Sequence, residues 1–240
     1  MGRARALRRA KLVSCGLVSA IVIAGVIPPD VVAQIRARME KGPLVSGKIT
    51  AVGRAQTIKD NLILSPDSQR ADEAVGLLVD ALKASPAFQA ATWPEAMLRP
   101  MFCRYGVGMK YGDHVDAAIM GVGAEQVRCD IAMTVCLSDA AEYEGGELVI
   151  DAAGVPTRWR GKAGDVIVYS GGTLHRVTEV TSGARDVAIS WIQSMVRDPD
   201  CRRILFDLKA ALDAFDALPT PPAEAEAIRR SYFNLIRMWA

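Results

Sequence analysis

Hydrophobic and polar positions change their period twice along the chain. From Pro28 to Lys41, "PPDVVAQIRARMEK" has the spacing of an amphipathic helix, with proline at its start. In "DSQRADEAVGLLVDALKASPAF", Ala74, Val75, Leu77, Leu78, Ala81 and Leu82 share one helical face, which predicts a helix ended by Pro86. The intervening "GPLVSGKITAVGRAQTIKDNLILSP" is punctuated by glycine and reads as strand or loop. From about residue 97 the texture becomes short β-type runs: "MLRPMFCRYGVGMKYG", "VRCDIAMTVCLS", "GELVIDA", "TRWRGKAGDVIVYS", "LHRVTEVT" and "ARDVAISWIQSM". "CDIAMTVCL" alternates weakly, and "DVIVYS" is apolar throughout its centre. After Asp198 the helical period returns in "DPDCRRILFDLKAALDAFDAL" and, beyond "PTPP", in "AEAEAIRRSYFNLIRMWA".

Many short strands at regular spacing call for a sandwich or barrel, of which a jelly roll is one solution. The order helices, β-core, helices predicts a mainly β, α+β chain whose core is buttressed at both ends. Four stretches follow: an extension over 1–19, a strand and helical support over 20–96, the β-domain over 97–197, and C-terminal helices over 198–240.

Composition narrows this picture slightly. At 240 residues, half of them hydrophobic, the chain can bury one substantial core. The net charge of +2 gives no sign of nucleic-acid binding, and Arg3, Arg5, Arg8, Arg9 and Lys11 carry more than all of it. Five scattered cysteines with no C-x-x-C pair argue against a disulfide framework or a zinc ribbon and for reduced, buried thiols. The basic start followed by the apolar run from Leu12 to Ile27 has two readings. "AIVIAGVI" is a first buried strand behind a basic extension, giving a cytoplasmic protein without a stable membrane span. Alternatively, the start is a signal-like segment with a cleavage site at Val18-Ser19-Ala20, which would export the protein or hold it at a membrane.

Candidate chemistry rests on the chain's two histidines. His114 stands two residues before Asp116 in "YGDHVD", and residues i and i+2 of a strand project to one face. His175 follows Gly171-Gly172, a turn or a close backbone approach. Two imidazoles and one carboxylate with open positions are the ligand set of non-haem Fe(II) oxygenases, although H-x-D alone is common by chance. Arg185 lies ten residues after His175. A strand, a turn and a returning strand would place it deeper in the same barrel, where its planar fork suits a carboxylate of a metal-chelating diacid. In isolation "SGARD" also reads as an exposed polar turn.

The combination of H-x-D, "GGEL", "AGDVIVYSGGTLHRV" and "GAR" resembles the Fe(II)/2-oxoglutarate-dependent dioxygenases of the prolyl 4-hydroxylase-like superfamily, and more closely the bacterial PKHD-type hydroxylases. The resemblance is dense from Leu98 to Asp207. It implies a double-stranded β-helix, with Fe(II) on His114, Asp116 and His175 and the distal carboxylate of 2-oxoglutarate on Arg185. It also implies O2 consumption, with L-ascorbate as reductant, and hydroxylation of an unactivated C–H bond coupled to decarboxylation of 2-oxoglutarate to succinate and CO2. By analogy Tyr105 touches 2-oxoglutarate, and Tyr111, Trp191 and Gln193 line the substrate pocket. Cys103 stands where relatives tend to carry asparagine. The substrate would be a small molecule or a peptidyl side chain, with a link to iron homeostasis. The C-terminal helices could pair two copies as a homodimer. The alternative is a cupin-like metal isomerase or binding barrel without O2 chemistry.

Overall fold

The computed structural model describes residues 11–12, 20–123, 126–152 and 154–240. Eight strands form two facing walls: β1 (Met101–Tyr105), β2 (Lys110–His114), β3 (Ile131–Cys136), β4 (Leu148–Ala152), β5 (Val155–Trp159), β6 (Val166–Ser170), β7 (Leu174–Val177) and β8 (Arg185–Ser194). One wall runs β6-β3-β8-β1 and the other β5-β4-β7-β2, antiparallel throughout. This is the jelly roll. The support region joins its walls: Ile21–Ile23 pairs with β6, and Leu44–Ser46 and Leu62–Leu64 continue the first wall beyond β1. Two residues earlier, Lys59–Asp60 pairs with β2 of the second wall. The stretch 59–64 therefore crosses from one wall to the other and closes that edge of the barrel.

Helices cover the outer face of the first wall. α1 (Pro29–Lys41) buries Val32, Ile35 and Met39, and α2 (Gln69–Lys83) buries Ala71, Ala74, Leu78 and Leu82. They pack with Phe102, Ile131, Met133, Val135, Val166 and Val168. The opposite face holds Ala132, Ile167 and Tyr169 inside the barrel. Burial on both faces explains why β3 and β6 read as nearly continuous apolar runs.

Three local expectations change. Within "AIVIAGVI" the strand covers Ile21–Ile23, after which Gly25 turns the chain, its N–H donating to Asp165 Oδ1 at 2.8 Å. Pro86 does not end α2. α2 stops at Lys83, and Pro86 opens α3 (Pro86–Thr92), whose N-cap Ser85 accepts from the Phe88 N–H. Proline at the first helical turn forfeits no hydrogen bond. The glycine-punctuated stretch also contains a short helix, Arg54–Ile58. At the C-terminus, α4 (Pro199–Asp216) and α5 (Glu224–Trp239) pack through Leu205, Leu212 and Tyr232. No helix among the described residues is long and apolar enough to cross a membrane. The signal-like segment lies mostly outside the described residues, although Lys11–Leu12 pairs with Ile21–Val22.

One ion pair fixes the β1–β8 register. Asp186, 2% exposed, accepts from Arg104 Nε at 2.7 Å and Nη2 at 2.8 Å, and Asp186 lies opposite Arg104 in the ladder. Asp186 is the buried partner of this pair, and removing it leaves Arg104 with only the exposed Glu40, whose Oε1 accepts from Nη2 at 2.5 Å. Asp186→Ala is expected to cost about 3 kcal/mol of unfolding free energy, read as a shift of the urea midpoint against wild type.

Candidate active site

β2 and β7 are neighbours, and their register sets His175 directly opposite His114. The ring centroids lie 4.2 Å apart. Asp116, just beyond the end of β2, stands between the two imidazoles: its Oδ1 is 3.9 Å from His114 Nε2 and its Oδ2 is 3.8 Å from His175 Nε2. One ligand atom from each of the three residues lies within 4.8 Å of the others.

The backbone sets the tautomers. His114 Nδ1 lies 2.7 Å from the Gly112 carbonyl, and His175 Nδ1 lies 2.9 Å from the Thr173 carbonyl, each two residues back. A carbonyl only accepts, so both Nδ1 atoms carry the proton and both Nε2 lone pairs turn toward Asp116. Burial, reinforced by the neighbouring His175, lowers the His114 pKa from 6.5 to about 4. A neutral imidazole with a free Nε2 is the form a metal takes. Two such nitrogens and one carboxylate form the donor set of a divalent first-row metal with open positions, so these residues fit iron.

Aromatic rings hold the histidines in place. Tyr111 stacks on His114 with centroids 3.7 Å apart, and the Tyr169 ring meets His175 edge-on at 5.2 Å. Gly171 leaves no room for a side chain, since a Cβ there would sit 2.3 Å from the Cys129 carbonyl oxygen. The tight turn before His175 is thus a close backbone approach.

Arg185 opens β8 and is 3% exposed, not an exposed turn residue. It lies opposite Tyr105 in the ladder, with its guanidinium 5.3 Å from the Tyr105 ring centroid. No hydrogen bond or ion pair among the described residues engages its side chain, whereas Asp186, its neighbour in sequence, faces outward to Arg104. Gly146, in the "GGEL" turn, has φ 58°, and a Cβ there would come 3.1 Å from Arg185 Cδ. Burial pushes the Tyr105 hydroxyl well up and the Cys103 thiol up to about 11, so both stay protonated.

The pocket candidates divide. Tyr111 borders the histidines. Trp191 is on the same side of β8 as Arg185 and packs near Tyr169, its indole N–H buried without a partner. Gln193 is engaged elsewhere: its Oε1 accepts from the Arg128 N–H at 3.0 Å, and its Nε2 donates to Glu95 at 2.9 Å. Sequence reasoning passed over Tyr169, Lys59 and Asn61. For the latter two, the available signal was the period-two placement of Lys59, Asn61 and Ile63 on one face of a strand.

A jelly roll with two imidazoles, one carboxylate and an unpaired arginine on its inner wall defines the architecture of a mononuclear non-haem iron oxygenase. Comparison with known proteins agrees. The 2OG-Fe(II) oxygenase superfamily model matches residues 100–193. A PKHD-type hydroxylase of Caulobacter sp. (strain K31) is 39% identical over 91% of this chain and 97% of its own. Another, from Gloeothece citriformis, is 40% identical over 90% and 96%. Among solved structures, a Pseudomonas putida prolyl-4-hydroxylase shares the fold, with TM-score 0.53 and 21% identity over 73% of this chain and 93% of that one. The chain belongs to the PKHD-type hydroxylases, enzymes of the 2-oxoglutarate- and Fe(II)-dependent oxygenase class.

The lowered His114 pKa has a stability consequence. Between pH 6.5 and about 4 the unfolded chain takes up a proton that folded His114 refuses, so folding weakens as pH falls through that window. In metal-free protein, wild type is expected to lose on the order of 2 kcal/mol relative to His114→Gln between pH 7 and pH 4.5, measured by denaturant titration at each pH.

Proposed function

We propose that the chain hydroxylates an unactivated C–H bond of a small-molecule or peptidyl substrate, with His114, Asp116 and His175 holding Fe(II) and Arg185 holding 2-oxoglutarate. The observation that carries this is Arg185. A buried guanidinium without a partner is costly, and a dicarboxylate that chelates the iron at one end offers a fork-matched partner at the other. Bound iron supplies the oxidising chemistry that couples decarboxylation of 2-oxoglutarate by O2 to C–H hydroxylation.

The remaining roles belong to the chain itself. The two Nδ1–H donors to carbonyls keep the imidazoles oriented, each with Nε2 turned toward Asp116. Tyr105 stays protonated and presents a hydroxyl donor beside Arg185. The helices packed on the outer face of the first wall hold its strands, and with them Tyr105 and Arg185, in place. Trp191 offers an indole N–H toward the same interior. Ascorbate is the expected reductant, returning iron oxidised to the ferric state in unproductive cycles to the ferrous state. The iron chemistry also suits a role in iron homeostasis. Exposed Phe233 and Met238 on α5 support pairing of two copies through the C-terminal helices, and the reduced thiols support a cytoplasmic setting.

Succinate release from 2-oxoglutarate with Fe(II), O2 and ascorbate tests this reading. Wild type should turn over slowly without substrate, and His175→Ala should fall at least about a hundredfold, since a facial site with one ligand missing holds iron weakly. Equal rates would remove His175 from the site. Arg185→Met should retain metal and raise the 2-oxoglutarate dissociation constant at least about tenfold, measured calorimetrically; unchanged affinity would refute the carboxylate role.

A further inference from the structure

Lys59 and Asn61 lie on the crossing strand that closes the barrel edge, and neither is used by the scheme above. Lys59 is 4% exposed and Asn61 2%. Lys59 is opposite Tyr111 in the ladder, and its Nζ sits 5.2 Å from the centroid of the ring that stacks on His114. Its one hydrogen bond is to Thr50 Oγ1 at 2.8 Å, and that hydroxyl's own proton goes to the Gly47 carbonyl. An ammonium has three donors, so two are left over. No carboxylate among the described residues comes within ion-pairing distance of Nζ. The Asn61 amide is buried with neither Nδ2 nor Oδ1 partnered. It stands beside the Cys103 thiol and the Tyr105 hydroxyl. A Cβ on Gly47 would sit 1.9 Å from Asn61 Oδ1, so the glycine is what allows the amide to stay there.

A buried cation with spare donors, near a buried amide whose close polar neighbours are only the Cys103 thiol and the Tyr105 hydroxyl, at contacts too poor to count as full hydrogen bonds, is costly in the free protein. Both costs fall when an anion with several acceptor lone pairs enters. A phosphate-sized group would need more donors than one ammonium and one amide supply, whereas a carboxylate matches the pair.

We propose that Lys59 and Asn61 form a second carboxylate subsite of the barrel, separate from Arg185 and beside the wall made by Tyr111 and His114. The carboxylate comes from one of two sources: the inner end of 2-oxoglutarate or the molecule that is hydroxylated. In the second case the substrate is a carboxylic acid, such as a free amino acid, rather than an internal residue of a protein. The proposal rests on the oxygenase reading above.

The test uses the full chain loaded with Mn(II) in place of iron, and two probes. Calorimetric titration with 2-oxoglutarate compares wild type, Lys59→Met and Lys59→Arg. Carbon-13 acetate is then titrated by NMR onto each protein saturated with 2-oxoglutarate. A loss of 2-oxoglutarate affinity of tenfold or more in Lys59→Met, restored in part by Lys59→Arg, supports the subsite and assigns it to the co-substrate. Unchanged 2-oxoglutarate affinity with an acetate site present in wild type and absent in Lys59→Met supports it and assigns it to the substrate. If Lys59→Met matches wild type with both probes, the proposal is overturned. Near-ultraviolet circular dichroism reports folding, and Lys59→Gln replaces the methionine variant if that one does not fold. Failure of wild type itself to bind 2-oxoglutarate would overturn the oxygenase reading and this proposal with it, a result distinguishable from indifference of Lys59 alone.

Discussion

The pleat of β8 beside β1 is the constraint on which the site depends. Arg185 and Asp186 are consecutive, yet they face opposite sides of the wall, as alternate residues of a strand must. On the outside, Asp186 meets Arg104 in a two-pronged ion pair. On the inside, Arg185 meets Tyr105. A slip of one residue would exchange the faces and send the acid into the pocket. The outer pair thus does more than hold two strands together: it anchors Asp186 on the far side of the wall from Arg185, leaving the inner guanidinium available for a ligand.

The same alternation explains what could be read from the sequence. His114 and Asp116 were legible because two-residue spacing has one geometric meaning near a strand. His175 was legible because the chain offered a single second imidazole. Arg185 was expected deep in the barrel from the strand-turn-strand after His175, although "SGARD" by itself reads as a polar turn; its burial is a tertiary fact, since the strand it begins is ten residues long and covered on both faces. The first wall was legible as strand but not as doubly buried, because its helical cover comes from residues 29–83, far away in sequence. Pro86 shows the limit of local reasoning, since proline disfavours helix before it and favours helix after it. The Ser85 side chain resolves the choice by capping the second helix.

Lys59 and Asn61 were illegible for a different reason. "KDN" carries the composition of a turn, and the strand segment it belongs to pairs over only two residues with β2 before crossing to β1. The period-two placement of Lys59, Asn61 and Ile63 hints at a shared strand face, but the closing of the barrel between two walls that gives it meaning is a tertiary fact. Leu174 illustrates the converse. It is a large apolar residue left exposed, because the pleat that turns His175 inward turns its neighbour out.

The fully buried cations among the described residues are Lys59, Arg185 and Arg202. Arg202, at the start of α4, donates from Nη1 to the Val196 and Arg197 carbonyls at 2.7 Å each and is satisfied within the fold. Arg185 has no such partner, and Lys59 has a single hydroxyl. Both of these lie on the inner surface of the barrel, flanking the space in front of the two imidazoles. Folding alone gives no return for burying them in this way, since a well-packed apolar residue in either place would cost less. The fold satisfies its buried charge where no ligand comes and leaves it unsatisfied along the inner wall. Under the proposed carboxylate sites, ligand binding would supply what folding withholds there, and the unpaired charge would be where those carboxylates dock.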